Sequence, residues 1–268
     1  MNVLFIGDIV GKVGRKALFK NLSFIRDKYQ IDFTICNGEN ISNGRGMNEN
    51  HYDFLSDLGI DCITLGNHYK NKDDIYKVLD NKNIIRPANL VDETKGVGSR
   101  LYDCEGVKIR VSNLLGETFM RESVHSPYEV LEEIVMNDES DIHIVDFHAE
   151  TNGEKKGIAF LFKDQINALI GTHTHVQTVD AEIINGTIAY ISDVGMCGAY
   201  HSILGCDAES IVKKMILKTG KSYTLPEKDD SVFSAVIITF DDLNFNPVKI
   251  NPLYIIDKRE TLWEKLKL

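Results

Sequence analysis

The sequence predicts an α/β protein made of two packed mixed β-sheets flanked by helices. Three observations predict it. In the first half, short, nearly continuous apolar runs alternate with amphipathic stretches, the pattern of parallel βαβ units. Later, Asn185-Gly186 joins two short strands in "AEIINGTIAYIS", a strong hairpin signal. Near the end, "SVFSAVIITF" is apolar on both faces, as a strand between two layers must be.

In order, "NVLFI" reads as a strand, followed by Leu18, Leu22 and Ile25 at helical spacing. "FTICN" is the second strand, and Tyr52, Leu55 and Leu58 mark a helix over 48–58. "DCITL" is the third strand, and Ile75, Val78 and Leu79 predict a helix over 72–80. "VKIRVSNLL" is a strand, 127–137 a helix and "DIHIVDF" a strand. Thr151 and Glu154 fit a capping box before a helix that runs to about Lys163. "QINALIGT" is a buried strand entering a turn, the hairpin follows, and 207–218 is again helical. "SVFSAVIITF" and "VKINPLYII" are long closing strands.

The 268 residues, 43% apolar and 26% charged, have a soluble globular composition. No repeat or long linker breaks the chain, so a single domain over 1–268 is expected. Five cysteines with no CxxC read as reduced thiols of a cytoplasmic protein. The N-terminus has no basic region, Asp8 interrupts its apolar run, and no run is long enough to span a membrane. A formal charge of −10 argues against binding of nucleic-acid polymers but leaves room for a small anion in a locally positive site. Leu262, Trp263 and Leu266 share a helical face that docks on the core or on a second subunit, leaving a homo-oligomer open.

Strand ends carry the chemistry. They close in turn on Asp8 in "IGD", Glu39 and Asn40 in "NGEN", Asn67 and His68 in "LGNH", His148 in "VDFHAE", and His173 and His175 in "IGTHTH". Any one of these alone reads as a turn residue or a hydrogen-bonded core histidine. Together, at the carboxyl ends of parallel strands, they meet at one sheet edge. His173 and His175, two apart, project to one side of a strand or of the turn leaving it, whereas on a helix they would diverge.

The order D…GE-N…GNH…H…GTHTH resembles the calcineurin-like binuclear metallophosphoesterases, and within them the YmdB-like branch of bacterial cyclic-nucleotide phosphodiesterases. "LFIGDIVGKVGR", "ICNGENISNGRG", "RPAN", "ISDVGM" and "ILGCD" extend the resemblance from residue 3 to about 207. The usual pattern begins D-x-H, whereas "DIV" places Val10 at the His position, and Gly-Asp becomes Gly-Glu followed by Asn40. The resemblance implies one metal on Asp8, Asn40 and His175, another on Asn67, His148 and His173, and Glu39 bridging them. The implied donors are imidazole, carboxylate and amide oxygen without thiolate, which suits two divalent or mixed-valence ions of Mn, Fe or Zn better than Ca or Mg. Glu39 and Asn40 can both serve only if the chain turns directly after its strand, and "NISNGRG" offers the residues for that turn.

It also implies a phosphodiesterase in which a metal-bridging hydroxide attacks phosphorus, with 2′,3′- or 3′,5′-cyclic nucleotides as expected substrates. Two divalent ions with Asp8, Glu39 and that hydroxide leave about one positive charge, matched to a monoanionic diester. His68 stays free beside the cluster to protonate the leaving oxygen or to steady the phosphoryl group. Asp193 reads as either a group that orients a ligand histidine or a turn residue. Lys12 and Arg45 are candidate contacts to the substrate phosphate. "GDIVGKVG" fails the phosphate-loop spacing, with Val13 where Ser or Thr is required, and "GVGSRL" is no dinucleotide fingerprint. A phosphomonoesterase or nucleotidase, and a low-turnover metal-containing regulatory protein, are the competing readings.

Overall fold

The alternation in the sequence becomes two sheets that share an apolar interior. The computed structural model describes residues 1–91, 93–220 and 222–257. The expected apolar face of Leu262, Trp263 and Leu266 lies outside them. The first part runs β1 (Asn2–Ile6), β2 (Asp8–Ile9), α1 (Gly11–Tyr29), β3 (Phe33–Asn37), α2 (Glu49–Asp57) and β4 (Cys62–Thr64). Then come β5 (Ser99–Cys104), β6 (Val107–Leu115), α3 (Pro127–Met136), β7 (Ile142–His148), α4 (Asn152–Leu161) and β8 (Ala168–Thr172). The hairpin β9 (Glu182–Ile184) and β10 (Ile188–Ile191) leads to β11 (Met196–Ala199), β12 (Ser202–Ile203) and β13 (Cys206–Asp207). The chain closes with α5 (Ala208–Ile211), β14 (Ser231–Phe240) and β15 (Pro247–Asp257).

In the first sheet β1, β3 and β4 are parallel, and β14 runs antiparallel to β1 with Leu4 opposite Ile237. β11 shares that edge of β14 and carries β2, while β15 covers the other edge. The second sheet is ordered β5-β6-β7-β8-β10-β9, with the inner four strands parallel and the outer two antiparallel.

Side-chain alternation along the strands then sets the layers. Phe5, Phe33 and Ile35 face Ile109, Ile144 and Ile170 between the sheets. Leu4, Ile6 and Cys36 point outward onto Leu18, Leu22 and Ile25 of α1. Val145, Phe147 and Leu169 point the other way, onto Leu131 of α3 and Ile158 of α4. Each such side chain, fully buried, contributes roughly 1.5–3 kcal/mol. The order of layers is helix, sheet, sheet, helix. Among the described residues no helix is long and apolar enough to cross a membrane.

Three local expectations are corrected. Residues 72–80 form no α-helix but 3₁₀ turns at Tyr69–Asn71 and Asp73–Lys77, although Ile75, Val78 and Leu79 are buried as their spacing required. Asn71, Asp73 and Asp74 are weak helix formers that favour such turns. The helix over 207–218 is α-helical only over Ala208–Ile211, and Val212–Ile216 continues it as a π-helix. Thr151 caps α4 without a side-chain bond, and the Glu154 carboxylate instead accepts the N–H groups of Glu117 (2.7 Å) and Thr118 (3.4 Å). Tertiary partners outcompeted the local box.

The hairpin turn follows its sequence signal, with Asn185 at φ 56° and Gly186 at φ 78°. A Cβ on Gly186 meets nothing within 4 Å, so only backbone strain opposes a side chain there. Gly186→Ala is therefore expected to cost about 1–2 kcal/mol in denaturant unfolding, without altering the site described next.

Candidate metal centre

The strand ends converge. Asp8 opens β2, Glu39 and Asn40 lie in the turn after β3, and Asn67 and His68 follow β4. His148 closes β7, and His173 and His175 follow β8. Asp8 and His148 are fully buried, and Glu39 and Asn40 nearly so. The turn after β3 lets the neighbours Glu39 and Asn40 face one space. Asn37 holds it, accepting the Glu39 N–H on Oδ1 at 3.1 Å while its Nδ2 donates to Asp146 Oδ2 at 3.0 Å.

Around Glu39 the donor atoms close in. His148 Nε2 lies 3.1 Å from Glu39 Oε1, 3.1 Å from Asn67 Oδ1 and 3.1 Å from His173 Nδ1. Glu39, His148 and His173 offer ligand atoms all within 4.8 Å of one another. On the other side, Asn40 Nδ2 lies 2.9 Å from Glu39 Oε1, 3.1 Å from His175 Nε2 and 3.4 Å from Asp8 Oδ1. Asn40 thus presents its amide nitrogen to this point. Half a turn of the amide, whose two ends are nearly isosteric, presents the oxygen that a ligand role requires.

The outer nitrogen of each histidine is engaged elsewhere. Thr172 Oγ1 donates to Asp146 Oδ1 (2.6 Å), so it accepts the Nδ1–H of His148 at 2.9 Å. His173 donates from Nε2 to Glu150 at 3.0 Å, and His175 from Nδ1 to the Leu204 carbonyl at 3.0 Å. Each tautomer is thereby set with its lone pair directed inward.

The turn carrying the pair is strained. β8 ends at Thr172, and His173 (φ 104°) and His175 (φ 65°) are both left-handed, so turn geometry rather than strand alternation brings them to one cavity. Asp8 Oδ2 accepts the His173 N–H at 3.2 Å, and Asp193 Oδ2 accepts the Thr174 N–H at 2.8 Å. The buried Lys155 ammonium, 3.2 Å from Asp193, anchors that carboxylate. Asp193 thus holds the backbone between the two histidines rather than an imidazole ring.

The electrostatics demand a central positive charge. Burial raises the Asp8 carboxyl, and His175 and His148 only partly offset it. Burial acts in the same direction on Glu39, but the His148 ring and the His68 N–H (2.9 Å) reverse it and hold Glu39 well below the carboxylate range. Burial opposes a charge on His148, yet Glu39 outweighs it and lifts that imidazole to about 9. Burial and the neighbouring His148 push His173 down to about 3. Two buried carboxylates thus draw a proton in among imidazole lone pairs. A divalent cation meets the same demand with more charge, and this nitrogen-oxygen donor set fits one.

A cavity of about 330 Å³ opens over the cluster. His68, Arg45 and Glu150 line it, with Ile203, Ile211 and Met215 on its apolar side. Lys12 is exposed on the first turn of α1 and is not among the lining residues. Sequence reasoning passed over Asn37, Asp146, Thr172 and Glu150. Asp146 carried a signal: it is an acid in an apolar strand, two residues before His148 and so on the same face.

Fold and cluster together define a metallophosphoesterase of the calcineurin-like class, which works with divalent metal ions. The chain belongs to the YmdB-like protein family, whose family model matches residues 4–253. It is 37% identical to a 2′,3′-cyclic-nucleotide 2′-phosphodiesterase of Bacillus subtilis, over 96% of this chain and 98% of that protein. A putative phosphatase/phosphodiesterase of Mycoplasma genitalium is 41% identical over 80% of this chain and 78% of its own. The crystal structure of a novel phosphatase from Mycoplasma pneumoniae superposes with a TM-score of 0.91 at 34% identity, covering 96% of this chain and 94% of that one.

Thr172→Val keeps the side-chain shape but breaks the relay from Asp146 to His148. It is expected to weaken metal binding roughly 10–100-fold, read by titration of the metal-stripped protein.

Proposed function

We propose that the protein is a metal-dependent phosphodiesterase that hydrolyses small phosphodiesters, 2′,3′- or 3′,5′-cyclic nucleotides among them. One observation carries this reading. Three histidines with engaged outer nitrogens turn their inner nitrogens onto buried Asp8 and Glu39 at the floor of an open cavity. One ion would be held by Asp8, Asn40 and His175, a second by Asn67, His148 and His173, with Glu39 between them. Bound there, the ions supply Lewis-acid charge and lower the pKa of water.

The remaining groups act on the substrate. His68 donates from Nδ1 to Asn71 Oδ1 at 3.1 Å, which leaves Nε2 for the cavity. As the imidazolium it protonates the leaving oxygen. Arg45 steadies the phosphoryl oxygens. One guanidinium sharing the wall of this cavity with the Glu150 carboxylate suits a monoanionic diester better than a dianionic monoester. The name of the Bacillus relative supports cyclic nucleotides as the diesters. Buried, unpaired Cys36, Cys62 and Cys197 support a reducing compartment, the cytoplasm.

The test compares an aryl phosphodiester with its monoester, using metal-stripped protein before and after Mn²⁺ reloading. Turnover that needs metal and favours the diester is expected; a monoester preference would make the protein a phosphatase. His68→Ala is expected to lower kcat at least about 100-fold with metal content unchanged, and full retention of rate would remove His68 from the chemistry. Asn40→Ala is expected to lose one of two ions by elemental analysis, so undiminished metal content would exclude Asn40 as a ligand.

A further inference from the structure

The space over the cluster has a second arm. Arg45, His68, His173 and Tyr223 line both the cavity above the cluster and a neighbouring one of about 530 Å³. Arg121 and Lys214 join Arg45 in the wall of that second cavity. In a chain of formal charge −10, three cations around one space stand out. Among the described residues none of the three has a carboxylate partner at ion-pair distance. Lys214 Nζ instead lies 4.0 Å from the centroid of the Tyr223 ring, which leaves its charge uncompensated. Glu122, also in this wall, is turned to Asn67 Nδ2 (3.3 Å) and the Arg121 backbone N–H (3.1 Å).

Unpaired cations around a concave wall attract an anion, and guanidinium and ammonium donors suit phosphate oxygens. Because His68 and His173 border both arms, a phosphodiester at the cluster sits at their junction. The first arm carries Ile203, Ile211 and Met215 on one side and the Glu150 carboxylate in its wall. We propose that the second arm is a subsite for a further phosphate of the substrate, one nucleoside away from the scissile diester. The preferred substrates are then 5′-phosphorylated dinucleotides rather than mononucleotides alone. The exposed ring of Phe119 at this wall adds a face on which a base can stack.

The inference rests on the phosphodiesterase reading for its chemistry but not for binding. In that chemistry water adds across one P–O bond of 5′-phosphorylated diadenylate. Its oxygen goes to phosphorus and a proton to the departing 3′-oxygen, giving two molecules of adenosine 5′-phosphate.

Binding is measured by calorimetry on the Mn²⁺-loaded protein, with adenosine 3′,5′-bisphosphate against adenosine 3′-phosphate. The bisphosphate is expected to bind roughly 10-fold tighter, with the advantage shrinking as salt rises. In Arg121→Ala/Lys214→Ala the ratio of the two dissociation constants is expected to fall toward one. Equal affinities in the unaltered protein, or a preference that survives the double substitution, would overturn the subsite. A bisphosphate preference lost on substitution, in a protein that turns over no diester, would support the subsite and reject the catalytic reading instead.

Discussion

Two carboxylates, Asp8 and Glu39, are buried side by side at the edge of the sheets, and the rest of the site depends on compensating them. Burying an ionised carboxylate without a partner is among the costliest acts in folding. The imidazoles around them turn inner lone pairs to the same point and, while neutral, add no compensating charge. That arrangement is stable only around positive charge, whether a proton on His148 or a divalent ion. The centre of this protein is therefore an electrostatic requirement before it is a catalyst.

The surrounding chain is organised to hold that point. The outer nitrogen of each histidine in the cluster is tied to a different group: Thr172 backed by Asp146, Glu150, and the Leu204 carbonyl. Left-handed His173 and His175 persist because Asp8 and Asp193 grip the backbone N–H groups of His173 and Thr174. Gly66 permits the close approach of β4's exit: a Cβ there would lie 2.3 Å from Glu39 Oε2 and 2.5 Å from His148 Nε2. The strain is local, and the paired sheets beneath it are rigid enough to carry it.

Much of the fold was legible because periodicity reports burial directly. β1, β3, β6, β7, β8 and β14 lie where the apolar runs placed them, and Asn185-Gly186 turns where its left-handed residues allow. Legibility failed where tertiary contacts overrode local preference. Glu154 left its capping box for the loop at Glu117, and the segment after His68 closed into 3₁₀ turns. The short strands β2 and β11 were also illegible, because they pair with each other across nearly 190 residues and no apolar run or turn signal marks them.

By itself the sequence determined the class of chemistry and its cast. Acid, amide and histidine side chains at successive strand ends pointed to one shared edge, although the structure divides those strands between two packed sheets. Only the tertiary structure decided how they meet. The identity of the inner nitrogen on each imidazole, the turn that lets neighbouring Glu39 and Asn40 share a space, and the roles of Asn37, Asp146 and Glu150 depend on distances of about 3 Å between segments far apart in the chain. The gathering of Arg45, Arg121 and Lys214 is the same kind of fact. Scattered over 170 residues they read as solvated charges, and only folding gathers them around one cavity.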